Sequence, residues 1–304
     1  MAVVDLDSLA ANIDQLRRRR PRELMQSAGA AIHRSESKRE FMNFGDKVVL
    51  IVGASSGIGR ELALRLANEG AHIVVTARRK DRLDALIQEV EARGGQCIAY
   101  PADAEDPEAA EHVVESCIAR YGRIDIAVLN AGGAPAIDMR TMKANQVTAY
   151  MRSNYDVAVN YLFPVLHHMR RQGSGLVAQT NSLAGFMGVP LQGPYSAAKG
   201  ALRLLIDTCR VEFGQYGIKF VSVYPGFVAT EATANDGMPA PMQMSEEAAV
   251  TRIIRALRCE RTDTMFPWQT SCLIRLSALL PKRFVAHILR RELPKDPIVD
   301  GRNG

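Results

Sequence analysis

Val48-Val49-Leu50-Ile51-Val52-Gly53-Ala54-Ser55-Ser56-Gly57-Ile58-Gly59 is the stretch that decides the fold. Its first five residues are aliphatic, mostly β-branched and uncharged, which reads as a buried strand. The glycines that follow have the spacing GxxxGxG and stand where a strand turns into a helix over about 57–68. Glycine there allows a tight turn and a close backbone approach to a pyrophosphate, whose charge then meets the N–H groups at the helix start.

Outward from this unit the pattern repeats. Strands are expected over 72–76, 97–100, 124–129, 176–180 and 219–223. Helices are expected over 80–93, 107–121 and 197–216, with a long helical region over 143–172 broken near Asn154. Strands alternating with helices imply parallel pairing and an α/β fold: a Rossmann-type doubly wound parallel sheet in a single catalytic domain, 47–268. Met265-Phe266-Pro267-Trp268 reads as its closing edge strand and turn. Residues 1–46 read as an N-terminal extension, helical over 7–16 or partly disordered, and residues 1–41 are expected to have no catalytic role. Residues 269–304 read as an amphipathic basic tail.

Composition narrows the function classes. With 304 residues, 47% hydrophobic and 23% charged, the chain reads as an ordinary soluble globular protein. It has five cysteines and no CxxC pair, so neither a disulfide framework nor a zinc site is expected. A reducing, cytoplasmic compartment fits this usage. No run of 18 uncharged apolar residues is present to span a membrane. Net charge is +5, and residues 251–304 alone carry eleven Lys/Arg against five Asp/Glu. The arginine run at 17–20 has no interleaved aromatics, so no nucleic-acid partner is expected.

Three further clusters carry chemistry. After the second strand, where many dinucleotide sites place an acid for the ribose 2′-hydroxyl, the chain has Ala77-Arg78-Arg79. A guanidinium pairs instead with a 2′-phosphate, which favours NADP(H). Asn130-Ala131-Gly132-Gly133 ends the fourth strand. Ser182, Tyr195 and Lys199 follow as Ser-x12-Tyr-x3-Lys, with the last two on one helix face. An ammonium beside a phenol lowers the phenol's pKa from about 10. The six histidines show no ligand spacing, and no metal is expected.

Together these residues resemble the short-chain dehydrogenase/reductase family over about 47–230. Gly53, Gly57 and Gly59 match its GxxxGxG, with Ser55, Ser56 and Ile58 inside the turn. Asn130-Ala131-Gly132 match its NAG, and Tyr195 to Lys199 its YxxxK, with Ser182 thirteen residues upstream. Asp103 fits the adenine-contacting acid after the third strand. Pro225, Gly226, Val228 and Thr230 fall in the PG…T stretch that holds the nicotinamide carboxamide. The resemblance implies a fourth catalytic residue, an asparagine in the long helix. Asn154 and Asn160 compete for it, and Asn154, 24 positions after Asn130, has the family's usual spacing.

The resemblance implies hydride transfer between NADP(H) and a carbonyl or secondary alcohol. Tyr195 serves as acid, Ser182 as donor to the same oxygen, Lys199 as ribose ligand and Asn154 as holder of a relay water. It also implies a homodimer or homotetramer. Residues 183–194, which border the substrate in the family, carry no charge, and Met238, Met242 and Met244 follow Thr230. An apolar ketone, steroid-like or lipid-like, is therefore the expected substrate. The alternative is a non-catalytic NADP(H)-binding regulator on the same fold. In the tail, apolar residues recur at helical spacing among Lys282, Arg283, Arg290 and Arg291. Packing of that stripe on the protein's own body or a partner subunit, as a lid, is expected ahead of peripheral membrane contact.

Overall fold

The computed structural model describes residues 41–295 apart from 232, 235–239 and 241. The expected helix over 7–16, the arginines at 17–20, Met238 and residues 296–304 lie outside the described residues. The chain divides into units 1–41 and 42–304.

In the larger unit, β1 (Val48–Val52) leads to α1 (Gly57–Asn68), β2 (His72–Thr76), α2 (Lys80–Ala92), β3 (Gln96–Ala99), α3 (Pro107–Tyr121) and β4 (Ile126–Leu129). The second half runs through α4 (Ala144–Arg152), α5 (Asp156–Gln172), β5 (Gly175–Thr180), a 3-10 turn (Leu183–Phe186), α6 (Gly193–Phe213) and β6 (Ile218–Pro225). A small strand pair follows, β7 (Val228–Ala229) with β8 (Met244–Ser245). The chain then continues as α7 (Glu246–Arg258), β9 (Asp263–Phe266), α8 (Trp268–Ser277) and α9 (Lys282–Leu289).

Seven strands form one parallel sheet in the order β3-β2-β1-β4-β5-β6-β9. Both of its faces are covered, as the uninterrupted apolar strands require. Val49 and Ile51 of β1 face a core closed by Leu62 and Leu66 of α1, Leu83 and Leu86 of α2 and Ile253 of α7. Val48, Leu50 and Val52 face a second core closed by Val113 of α3, Tyr161 and Leu166 of α5 and Ile206 of α6. The period-two alternation of the strand thus distributes one apolar run between two layers.

The chain moves outward from β1 through β2 to β3, then crosses back to β4 on the other side of β1. Loops leaving the carboxyl ends of β1 and β4 therefore diverge, and the crevice between them is where such sheets bind ligands. Asn130 ties the two loops together there: its Nδ2 donates to the Gly53 carbonyl at 3.1 Å.

For packing on the chain's own body, the tail departs from expectation. In α8 the half-buried and buried positions include Thr270, Ser271 and Ser277, whereas Trp268, Leu273 and Leu276 are 68%, 58% and 56% exposed. Ser271 donates to the Pro267 carbonyl at 2.7 Å, and Ser277 reaches Met187 Sδ at 3.7 Å. The helix meets the body mainly through its small hydroxylated side, so most of the stripe expected to pack inward on its own chain faces out.

Candidate active site

Gly53 and Gly57 adopt φ of +84° and +60°, the left-handed region in which a side chain is strained. At Gly59 the constraint is space: a Cβ would stand 2.2 Å from the Gly53 carbonyl oxygen and 2.8 Å from Asn130 Nδ2. That contact lets α1 start directly beneath the turn. Ser56, the residue preceding α1, makes no side-chain capping bond, and no acid lies in the first turn. The helix N-terminus thus keeps its N–H groups and positive dipole for an anion.

Around this turn stand the other expected cofactor residues. Ala131 Cα would lie 2.7 Å from a Cβ on Gly53. Thr230 sits against Gly57, 3.5 Å from the site of its absent Cβ, and its N–H donates to Thr233 Oγ1 at 2.9 Å. Gly226 N donates to the Phe266 carbonyl at 2.7 Å, fixing the Pro225-Gly226 bend between β6 and β9. Val228 is buried in the core, and Ile58, partly buried, packs against the same core. Asp103 is exposed after β3 and accepts the Glu105 N–H at 3.1 Å. Arg79 reaches over the turn, its Nη2 donating to Ser55 Oγ at 2.9 Å and Ser56 Oγ at 2.7 Å. Glu231 holds the same guanidinium at 3.3 Å. Arg78 is exposed and makes no hydrogen bond or ion pair with another described residue. The turn, the uncapped helix and the two guanidiniums fit a phosphate-bearing dinucleotide.

The catalytic candidates gather beside β4 and β5. The Ser182 hydroxyl stands near enough to the Tyr195 phenol to lower its pKa, and Ser182 Oγ accepts the Ala184 N–H at 3.1 Å. Lys199 is buried, with Nζ donating to the Thr180 carbonyl at 3.0 Å and lying 5.6 Å from the centre of the Tyr195 ring. Asn154 is buried at the junction of α4 and α5, where its Oδ1 accepts the Gly133 N–H at 3.0 Å. Gly132 separates Asn154 from Lys199: a Cβ there would stand 2.9 Å from Asn154 Oδ1 and 3.7 Å from Lys199 Nζ. Asn160, the competing asparagine, donates instead to the Ala104 carbonyl at 2.9 Å.

Burial pushes the Lys199 ammonium down to about 8. It also pushes the Tyr195 phenol up, against the lowering effect of the nearby Ser182 hydroxyl. The expected depression of the phenol by Lys199 is thus not met in the protein by itself. Desolvation disfavours both charged forms and outweighs a cation at this separation.

Two positioning residues went unread in the sequence. Asn181, at the end of β5, accepts the Ser182 N–H at 2.8 Å and donates to the Lys199 carbonyl at 3.1 Å. It bolts the serine to the helix that carries the lysine. Gly185 admits that contact, since a Cβ there would lie 2.8 Å from Asn181 Oδ1 and 3.1 Å from the Lys199 carbonyl. The one sequence signal was Asn181 standing next to Ser182, and asparagine after a strand is too common to single out.

Residues 47–239 match the sequence profile of the family described as short chain dehydrogenase. The chain belongs to that family. An uncharacterized oxidoreductase of Myxococcus xanthus is 31% identical over 245 residues, spanning 81% of this chain and 97% of that one. The 3-oxoacyl-(acyl-carrier-protein) reductase FabG of Staphylococcus epidermidis is 31% identical over 208 residues, 68% of this chain and 85% of its own. Among solved structures, an alcohol dehydrogenase from the archaeon Thermococcus sibiricus complexed with 5-hydroxy-NADP superposes with a TM-score of 0.66. It is 25% identical, and the match covers 72% of this chain and 95% of that one. As a short-chain dehydrogenase, the protein is an oxidoreductase that transfers hydride with a nicotinamide cofactor, NAD or NADP, on a small substrate.

Proposed function

We propose that this short-chain dehydrogenase is an NADP(H)-dependent carbonyl reductase, or the reverse alcohol dehydrogenase, acting on an apolar substrate. The observation that carries the chemistry is buried Lys199, its Nζ 5.6 Å from the centre of the Tyr195 ring, with Ser182 beside the same phenol. NADPH supplies the hydride when bound. Tyr195 protonates the substrate oxygen as negative charge builds on it. Ser182 donates a second hydrogen bond to that oxygen. Lys199 carries positive charge beside the phenol and binds ribose hydroxyls. Asn154, buried against Gly133 and close to Lys199 across Gly132, holds the water that returns protons to Lys199.

NADP(H) preference rests on Arg78 and Arg79. Arg79 is already engaged by two serine hydroxyls, while Arg78 keeps its donors for a 2′-phosphate. The apolar substrate rests on the uncharged segment after Ser182. Leu183, Ala184, Gly185 and Leu191 of it are buried in packing, leaving Phe186, Met187, Val189 and Pro190 partly exposed. Met244 packs on the core, so of the described methionines after Thr230 only Met242 is exposed. The proposed homodimer or homotetramer forms through α5 and α6, whose Phe163, Leu204 and Val211 face outward. The experiment is a panel of apolar ketones against sugars and keto acids, each with NADPH and with NADH, followed at the nicotinamide absorbance. Turnover of the apolar ketones with NADPH is expected. Preference for NADH or for the polar carbonyls overturns the corresponding half of the reading.

A further inference from the structure

The orientation of α8 is the reverse of a globular helix, which turns its apolar stripe to the core. Here the buried side is Ser271 with half-buried Thr270, Ile274 and Ser277, while Trp268, Leu273 and Leu276 stand in solvent. The pattern continues past the helix. Leu279 is 81% exposed, and in α9 Phe284 and Ile288, four apart on one face, are both exposed, while Val285 and Leu289 are half-buried. So many large apolar side chains in one exposed stretch mark an interaction surface.

Its charge selects the occupant. Residues 268–295 hold six Lys/Arg and one Asp/Glu, a net +5 equal to that of the whole chain. Arg275, Lys282, Arg283, Arg290 and Arg291 are all exposed. A second copy docked across a two-fold axis would bring this patch against itself, cation on cation. An anionic surface that accepts both cations and apolar side chains is a lipid leaflet carrying acidic headgroups. With 10 and 8 residues, α8 and α9 are too short to span one, and no helix among the described residues is long and apolar enough to do so.

We propose that α8 and α9 form an interfacial anchor that lies on an anionic membrane, with Trp268, Leu276, Leu279, Phe284 and Ile288 entering the headgroup boundary. Because Ser277 touches Met187, five residues after Ser182, the anchor stands next to the segment that follows the catalytic serine.

The test is sedimentation of the full chain with vesicles of phosphatidylcholine alone and of phosphatidylcholine and phosphatidylglycerol in equal parts. Binding to the anionic vesicles only, weakened by salt, is expected. Arg283→Gln and Arg290→Gln should each weaken it about fivefold, and Leu276→Asp with Phe284→Asp should abolish it. Circular dichroism and turnover of a water-soluble ketone report that these variants fold. Neutralising the arginines at 17–20 should leave binding in place; if that change alone removes it, the anchor is not α8 and α9. Absence of vesicle binding by the wild type, or Leu276→Asp lowering the molecular mass in sedimentation equilibrium without affecting vesicle binding, would overturn the proposal. The latter result would assign the face to a second copy.

Discussion

Tyr195 and Lys199 sit one helical turn apart, and burial acts on both in opposite senses: the phenol is pushed up and the ammonium down to about 8. Tyr195→Phe removes the proposed proton donor and leaves the surrounding packing. Turnover should fall about 10²–10⁴-fold with NADPH affinity, read by fluorescence titration, changed little. A variant retaining a tenth of the wild-type rate would contradict the assignment. Lys199 makes a stability statement as well. Its folded pKa lies below the unfolded 10.5, so between about pH 8 and pH 10 the unfolded chain binds the extra proton and stability rises with pH. That gain, of order 2–3 kcal/mol, should be missing from Lys199→Met when the two proteins are unfolded in urea across this window without added nucleotide. Parallel curves would argue against a buried, depressed lysine. Arg78→Asp should move the NADPH-to-NADH affinity ratio by about thirty-fold toward NADH, because a carboxylate repels a 2′-phosphate and accepts from a hydroxyl; an unchanged ratio in paired titrations removes Arg78 from the site. These residues were legible because their chemistry needs particular side chains at fixed spacing. Asn181 and Gly185 were not, because they act through backbone contacts that only the folded chain creates.

At the scale of elements, the glycine turn is the tightest constraint. Gly59→Ala places a methyl 2.2 Å from the Gly53 carbonyl, so α1 must move away from β1. The change should cost about 1–3 kcal/mol, seen as a lowered Tm, and should weaken nucleotide binding; an alanine variant matching the wild type in both would mean that the helix shifts freely. Most elements could be read from periodicity, including the break at Asn154, which falls between α4 and α5. Helix α6 starts at Gly193, four residues before the expected 197, because Pro194 occupies a first-turn position where its missing N–H costs nothing. Gly-Pro is equally a turn signal, and sequence alone does not choose between the two. Helix α7 went unread although its signals are present: Ser245 Oγ accepts the Ala248 N–H at 3.2 Å, two glutamates follow, and Ala249, Val250, Ile253, Ile254 and Leu257 line one side. Phe44, within the stretch set apart as an extension, is fully buried under the Arg258 guanidinium, a contact with the far end of α7 that local pattern does not encode.

For the molecule as a whole, alternation of strands and helices implied a doubly wound sheet, and the order β3-β2-β1-β4-β5-β6-β9 bears it out. The outward face of α8 was hidden because an amphipathic stripe has the same period whichever side meets the body. The sheet order sets the glycine turn after β1 beside Asn130 after β4, and β5 carries Ser182 in the next loop. The glycine turn and the proposed proton donor therefore share one edge of one sheet. The central claim is that hydride passes at that edge from NADPH to a carbonyl carbon while Tyr195 supplies the proton. It is tested most directly by incubating the wild type and Tyr195→Phe with an apolar ketone and NADPH deuterated at the transferable position of its nicotinamide ring, then analysing the alcohol by mass spectrometry and NMR. The account predicts one deuterium on the carbinol carbon from the wild type and almost no labelled alcohol from the variant. Alcohol that carries no deuterium, or equal labelled product from both proteins, would contradict it.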